Sequence, residues 1–333
     1  MDNPILVEVT RGGQVESRHR GAVSVIDADG GTVFNIGDVE RRVFPRSAVK
    51  ALQALPLVES GIADRYGLTE PEIALACASH SGEPEHVASA ASMLAKAGRD
   101  GSCLECGTHW PMGETANRAL AARGETPTAL HNNCSGKHAG FICLACGFDE
   151  DPRGYATPAH KVQHVVRGSL EDLTGDSHTP DEMGIDGCSI PTYAIPLPAL
   201  AFGFARFGSG HGISRSCAAA AQRIRQAVAK HPFMVAGTGR FDTTLMEALR
   251  EQAFVKVGAE GVYCAALPRL GFGIALKADD GGSRAAEVMM AALILHFVDL
   301  GGSERSVVEA LARPVLKNWN GIEVGSLRST MPV

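Results

Sequence analysis

The stretch Pro45-Arg46-Ser47-Ala48-Val49-Lys50, running on into Ala51-Leu52-Gln53-Ala54-Leu55, is the hinge of this chain. It is apolar and alanine-rich, and it reads as the start of a buried helix. Proline suits a first helical turn, where its missing N–H costs nothing. Ser47 and Lys50 lie three residues apart, and on a helix such positions share a face. Their Oγ and Nζ atoms are therefore expected to meet. A serine hydroxyl is a poor nucleophile without a base beside it. A lysine becomes a base when burial penalises its charged form. Free N–H groups at the helix start favour developing negative charge.

Working outward, the segments before this stretch alternate like strands. Ile5-Leu6-Val7-Glu8-Val9 turns at Gly12-Gly13. Ala22-Val23-Ser24-Val25-Ile26 turns at Asp29-Gly30-Gly31 and returns as Thr32-Val33-Phe34-Asn35-Ile36, the pattern of antiparallel hairpins. After it the pattern is helical over 46–59, 70–76, 84–97, 113–123, 137–147, 158–173, 196–206, 215–230 and 243–251, with capping-box spacing at Thr244-Leu245-Met246-Glu247. Strands return at 252–257, 261–267 and 271–277, and a last apolar helix covers about 284–300. The fold class is therefore α/β of the α+β kind. One antiparallel sheet is built from both termini and flanked by helices, with a mostly helical lobe inserted. As domains this gives one catalytic unit over 1–333: an α/β lobe from about 1–45 and 231–333, and a helical lobe from about 46–230. The serine–lysine stretch sits on the seam, where clefts form.

Bulk properties exclude several classes. Of 333 residues, 45% are hydrophobic and 20% charged, and the net charge is −6. No basic run is present, so nucleic acid is not an expected partner. No stretch reaches the length and apolarity of a membrane span. Met1-Asp2-Asn3-Pro4 lacks the basic start of a secretory signal. With no such signal, nine cysteines read as reduced thiols, and a cytoplasmic location is expected.

Further polar motifs break the apolar pattern. Ala74-Leu75-Ala76-Cys77-Ala78-Ser79-His80-Ser81-Gly82-Glu83 is an apolar run ending in side chains that can donate and relay protons. His131-Asn132-Asn133-Cys134-Ser135-Gly136-Lys137-His138-Ala139-Gly140 precedes an apolar helix. Its Asn133 amide can pair with a substrate carboxylate or amine, and Ser135 is expected as an N-cap. Asp186-Gly187-Cys188-Ser189-Ile190-Pro191 is a glycine-hinged polar loop. Lys256-Val257-Gly258-Ala259-Glu260-Gly261 ends a strand with glycines that admit another backbone or a ligand. A second lysine near the serine would keep the local potential positive and help hold Lys50 neutral. Gly237-Thr238-Gly239-Arg240-Phe241-Asp242 is a turn able to hold an anion on free N–H groups, without the third glycine of a dinucleotide site. The pairs Cys103/Cys106 and Cys143/Cys146 are too far apart for a zinc ribbon and read as packing.

Taken together, these blocks resemble the Rhizobium etli-type (class 3) L-asparaginase family, in its order and over nearly the whole chain. The matching stretches are Phe44 to Lys50, Ala78 to Glu83, Cys106-Gly107-Thr108-His109-Trp110-Pro111, Asn132 to Gly140, Gly184 to Pro191 and Lys256 to Gly261. That family is related in fold to serine β-lactamases and glutaminases. The resemblance implies hydrolysis of L-asparagine to L-aspartate and ammonia by a homodimeric amidohydrolase. It implies Ser47 as nucleophile with Lys50 as base, Ser79 and Lys256 as a second serine–lysine pair, and substrate contacts from Arg46, Glu83, Asn133 and His138. It also implies zinc on Cys134, Lys137 and Cys188, with Asp186 behind, orienting substrate rather than supplying the nucleophile. A lysine ligand must be neutral, so such binding weakens at low pH. The alternatives are a serine glutaminase, a penicillin-recognising acyl-enzyme hydrolase, or a non-catalytic asparagine or metal sensor. Ammonia release from asparagine and glutamine, beside a reporter β-lactam, separates them.

Overall fold

A computed structural model describes residues 2–333. Three strands open the chain: β1 (Ile5–Arg11), β2 (Gln14–Asp27) and β3 (Thr32–Ile36). Seven helices follow: α1 (Lys50–Glu59), α2 (Ile62–Arg65), α3 (Glu70–Ala76), α4 (Pro84–Lys96), α5 (Glu114–Ala122), α6 (Ser135–Gly147) and α7 (Lys161–Thr174). A small hairpin, β4 (Met183–Ile185) and β5 (Pro191–Tyr193), precedes α8 (Leu197–Ser209), α9 (Arg215–Lys230) and α10 (Phe241–Leu249). The chain ends with β6 (Phe254–Val257), β7 (Val262–Leu267), β8 (Phe272–Ala278), α11 (Ser283–Phe297), α12 (Gly302–Ala312), β9 (Val315–Lys317) and β10 (Glu323–Ser329).

The main sheet runs β6-β7-β8-β2-β1-β10-β9, with β3 also paired to β2, and every pairing is antiparallel. Both ends of the chain thus share one sheet, as the strand patterns required. All six residues of β7 are buried, so this part of the sheet is covered on both faces. The cover comes from α8, packed on β2, β7 and β8, and from α11, packed on β1, β7, β8 and β10. Their alanines and glycines allow that contact. A Cβ on Gly273 of β8 would overlap the Ala201 carbonyl and the Ala205 amide of α8. Among the described residues no helix is long and apolar enough to cross a membrane.

The structure departs from the sequence pattern in several places. Arg46–Val49 is a 3-10 turn, and the α-helix starts only at Lys50. Residues beyond 300, where no element is legible, supply α12 and two strands, and β10 pairs with β1 inside the sheet. Their apolar positions are too few and short for a clear period. The helix expected from 243 begins at Phe241, so Thr244 lies inside it and caps nothing. Thr243 Oγ instead accepts the Gly237 N–H at 3.2 Å. Helix α8 falls within the span read as the helical lobe, yet it packs on the sheet.

The Gly273 contact makes a test. Gly273→Ala should destabilise the protein by about 1–3 kcal/mol through overpacking of α8 on β8. A urea melt checks this through its midpoint, with an unchanged midpoint contradicting the close approach.

Candidate active site

Four segments distant in sequence meet where the sheet joins the helices. The 3-10 turn of Ser47 lies against the end of β6. A Cβ on Gly258 would sit 2.6 Å from the Pro45 carbonyl, so only glycine lets β6 come so close. Helix α3 delivers Ser79 just past its C-terminus, and the Ser79 N–H is anchored on the Val235 carbonyl at 2.9 Å. Helix α6 packs on α3 through Gly136, whose missing side chain accommodates the Leu75 carbonyl, and so brings Cys134 and Lys137 to the same place. The turn between β4 and β5 delivers Asp186 and Cys188, closed by Asp186 N–H to the Ile190 carbonyl at 2.8 Å.

Lys50 is fully buried, and its amine faces three acceptors: the Ala78 carbonyl at 2.5 Å, Ser79 Oγ at 3.0 Å and Cys134 Sγ at 3.2 Å. Three is the number an ammonium can fill. Ser47 is not among them, which corrects the expected Ser47–Lys50 contact. The physical reason is the demand of a buried amine, which takes the carbonyl, hydroxyl and sulfur enclosed with it. The Ser47 hydroxyl has no hydrogen-bond partner among the described residues, and its side chain is half-buried. Its neighbour Arg46 adopts a left-handed backbone, φ 51°, rare for a non-glycine residue. An ion pair between Arg46 Nε and Asp186 Oδ1 holds it there.

Lys256 approaches Ser79 from the other side, Nζ to Oγ 3.0 Å, and also donates to the Val257 carbonyl at 2.9 Å. Ser79 thus bridges two buried amines. Burial pushes the Lys256 amine down to about 7; Lys50 adds to that, and Asp242 opposes it. Burying an ammonium costs several kcal/mol, more than a carboxylate 3.9 Å away returns here. Asp242 is itself buried, fixed by the Val257 N–H at 3.2 Å and by the Tyr263 hydroxyl.

The expected metal ligands also converge. Lys137 Nζ donates to Cys188 Sγ at 3.0 Å, and all three side chains are buried. The Cys188 thiol donates to Asp186 Oδ2 at 3.8 Å. The neighbouring Cys188, with Lys50 and Lys137, holds the Cys134 sulfur well below the usual thiol range despite burial, and Cys134 and burial push Cys188 up. Burial lowers Lys137, but Cys188, Cys134 and Asp186 outweigh it and hold the amine above its usual range. Among the described residues no three His, Cys, Asp or Glu side chains gather to hold a metal ion. A metal here therefore needs the lysine as its third donor. The two sulfurs are ordinary zinc donors, and Lys137 would join them only by losing the proton that Cys188, Cys134 and Asp186 help it hold.

The remaining candidates divide. Asn133 is half-buried; its Oδ1 lies 3.3 Å from Cys134 Sγ. His138 is fully buried beside Lys137. The Tyr155 hydroxyl accepts the Glu105 N–H at 2.9 Å and lies 2.7 Å from His138 Nδ1, so it donates there. The His138 proton then sits on Nε2, which has no partner. Glu83, in contrast, is already engaged: Thr238 donates its N–H to Oε1 at 2.8 Å and its hydroxyl to Oε2 at 2.7 Å. The anion held by the Gly237–Asp242 turn is thus this carboxylate. Ser135 is the first residue of α6 and bonds His80 Nε2 at 2.9 Å, so it is no N-cap. Cys143 and Cys106 donate to the Met93 and Ala129 carbonyls at 3.4 and 3.6 Å.

Sequence comparison gives the constellation a family. The family model described as L-asparaginase II matches residues 7–329. The chain belongs to the L-asparaginase II family. All four segments of the constellation lie inside the matched span of this L-asparaginase II member. No curated protein sequence matches the chain. Solved structures align over most of it without superposing closely. A putative beta-lactamase from Bacteroides dorei DSM 17855 is 12% identical, over 82% of this chain and 93% of its own, with TM-score 0.39. Mglu in its native form is 15% identical, over 90% of this chain and 70% of its own, with TM-score 0.38. A beta-lactamase from Mycobacterium bovis is 12% identical, over 83% and 94%, with TM-score 0.28.

Proposed function

We propose that the protein hydrolyses the side-chain amide of L-asparagine to L-aspartate and ammonia, through an acyl-enzyme on Ser47. The observation that carries this reading is the relay Lys50–Ser79–Lys256, 3.0 Å at each contact with Ser79 and closed from water, directly behind the turn that holds Ser47. Ser47 is the accessible hydroxyl and is free to turn to substrate. Lys256, pushed down to about 7, takes a proton from Lys50 through Ser79, and the Lys50 amine so freed accepts the Ser47 proton. Backbone N–H groups at the 3-10 turn stabilise the oxyanion. Ammonia leaves with a proton from the relay, and water activated by the same groups releases aspartate. Arg46 and Asn133 line the approach, Arg46 with its Nε tied to Asp186, while the buried His138 stands behind them with an unpartnered Nε2–H.

Cys134, Lys137 and Cys188 would hold zinc, with Asp186 behind them. Bound, the ion supplies a fixed positive charge beside the substrate. We further propose a cytoplasmic homodimer. A second reading makes Ser79 the nucleophile, because it contacts both amines. Mass mapping of a trapped acyl-enzyme distinguishes the two serines, and ammonia release from asparagine and glutamine side by side tests the activity itself.

Ser47→Ala should fold normally and lose activity by at least about a thousandfold. Ammonia release at the wild-type rate would remove Ser47 from the chemistry. The pH profile follows from Lys256: its amine is protonated below about 7 and free above it, so kcat/KM should climb through that region and level off at alkaline pH. An acid optimum would point to a carboxylate base. Cys134→Ser should sharply lower zinc content by elemental analysis, and chelation should raise KM more than it lowers kcat. Zinc content indifferent to either cysteine would refute the site.

A further inference from the structure

We propose that Asp242 is a positioning residue that sets the proton affinity of Lys256, and thereby the pH at which the enzyme becomes active. The inference rests on the proposed function only in its second half. Asp242 stands in the first turn of α10, at the end of the glycine turn whose other end holds Glu83. It is 2% exposed. One oxygen accepts the Val257 N–H and lies 3.9 Å from Lys256 Nζ; the other takes the Tyr263 hydroxyl. Both oxygens are thus fixed by the strand that carries Lys256 and its neighbour β7. A buried carboxylate so placed favours the ammonium form of Lys256.

The other groups facing Lys256 work against that form or stay neutral. Lys50 and Arg240 oppose a second positive charge, and the more distant Cys134 favours it. Cys77 and Cys264 remain thiols because burial pushes both up, Cys77 to about 12. Behind Asp242 lies Glu287 of α11, which burial and Asp242 push up to about 7. Burial also pushes the Asp242 carboxyl up, while Lys256, the Val257 N–H and Arg240 pull it down. Removing the Asp242 charge takes away the main support for the ammonium, so the Lys256 midpoint must fall.

The experiment follows Lys256 directly, by NMR of protein carrying 13Cε-labelled lysine, titrated with pH and beside kcat/KM profiles for asparagine. Lys256→Met identifies the resonance. Wild type should titrate near 7, and Asp242→Asn about one pH unit lower or more, with the acid limb of kcat/KM moving by the same amount. Asparagine is isosteric and can still pair with Val257 and Tyr263, so a merely structural role would leave the midpoint in place. Asp242→Ser also removes the charge while keeping an acceptor for the Val257 N–H, and should give a shift of the same sign; it decides the matter if Asp242→Asn fails to fold. An unmoved or raised midpoint in either folded variant overturns the inference. A lowered midpoint with an unmoved kinetic limb upholds the hold of Asp242 on Lys256, and overturns the part of Lys256 in turnover.

Discussion

The structure is organised around the burial of two lysine amines on one serine hydroxyl. Lys50 and Lys256 both reach Ser79 with no exposed surface of their own. Neither arrangement is tolerable alone in an apolar core. The surroundings are accordingly polar where it matters: the Ala78 and Val257 carbonyls, the Cys134 sulfur and the Asp242 carboxylate each face an amine. Around these groups the packing is made of alanine, leucine and glycine from α1, α3 and α6, which keeps water out.

Close backbone approach is what makes this possible. Gly258 admits the Pro45 carbonyl, Gly136 admits the Leu75 carbonyl, and Gly237, at φ 114°, admits Glu83 and Ser81. Each contact joins two segments carrying site residues. The glycine beside each motif is therefore the reason its polar residues meet partners from elsewhere in the chain. Arg46 shows the complementary device: a left-handed residue that is not glycine, held by Asp186 across the seam.

Most of the fold was legible because its elements carry strong periods. Alternation marked β1, β3 and β6–β8, and the long apolar helices were visible within a few residues. What escaped has physical causes. Strand β2 is fourteen residues long, but its first half alternates polar with polar and looks like loop. Strand β9 is only three residues long, and β10 is mostly half-buried along its length, so neither shows a clear alternation. In the site, spacing pointed to Ser47 and Lys50, and the family resemblance added Ser79, Lys256, Cys134, Lys137 and Cys188; the segments that carry them meet. Spacing could not say which serine Lys50 touches, because that is settled by the competition among acceptors enclosed with the amine. Asp242 and Tyr263 were invisible as partners, since a single acid in a glycine turn and a single tyrosine in a strand carry no local signal. Glu83 looked available because sequence does not show that Thr238 occupies both its oxygens.

The pairing of β10 with β1 has a consequence for how the protein is made. The Thr330 N–H donates to the Leu6 carbonyl at 2.9 Å, so β1 is completed by a strand made some three hundred residues later. Strand β2 likewise waits for β8, more than two hundred residues later. Throughout synthesis the nascent β1–β2 hairpin therefore presents open edges, while the helices between can settle early on their own short-range contacts. Translation order thus leaves the Lys256 side of the site unfinished until β8 is made, and the sheet unfinished until β10 is made.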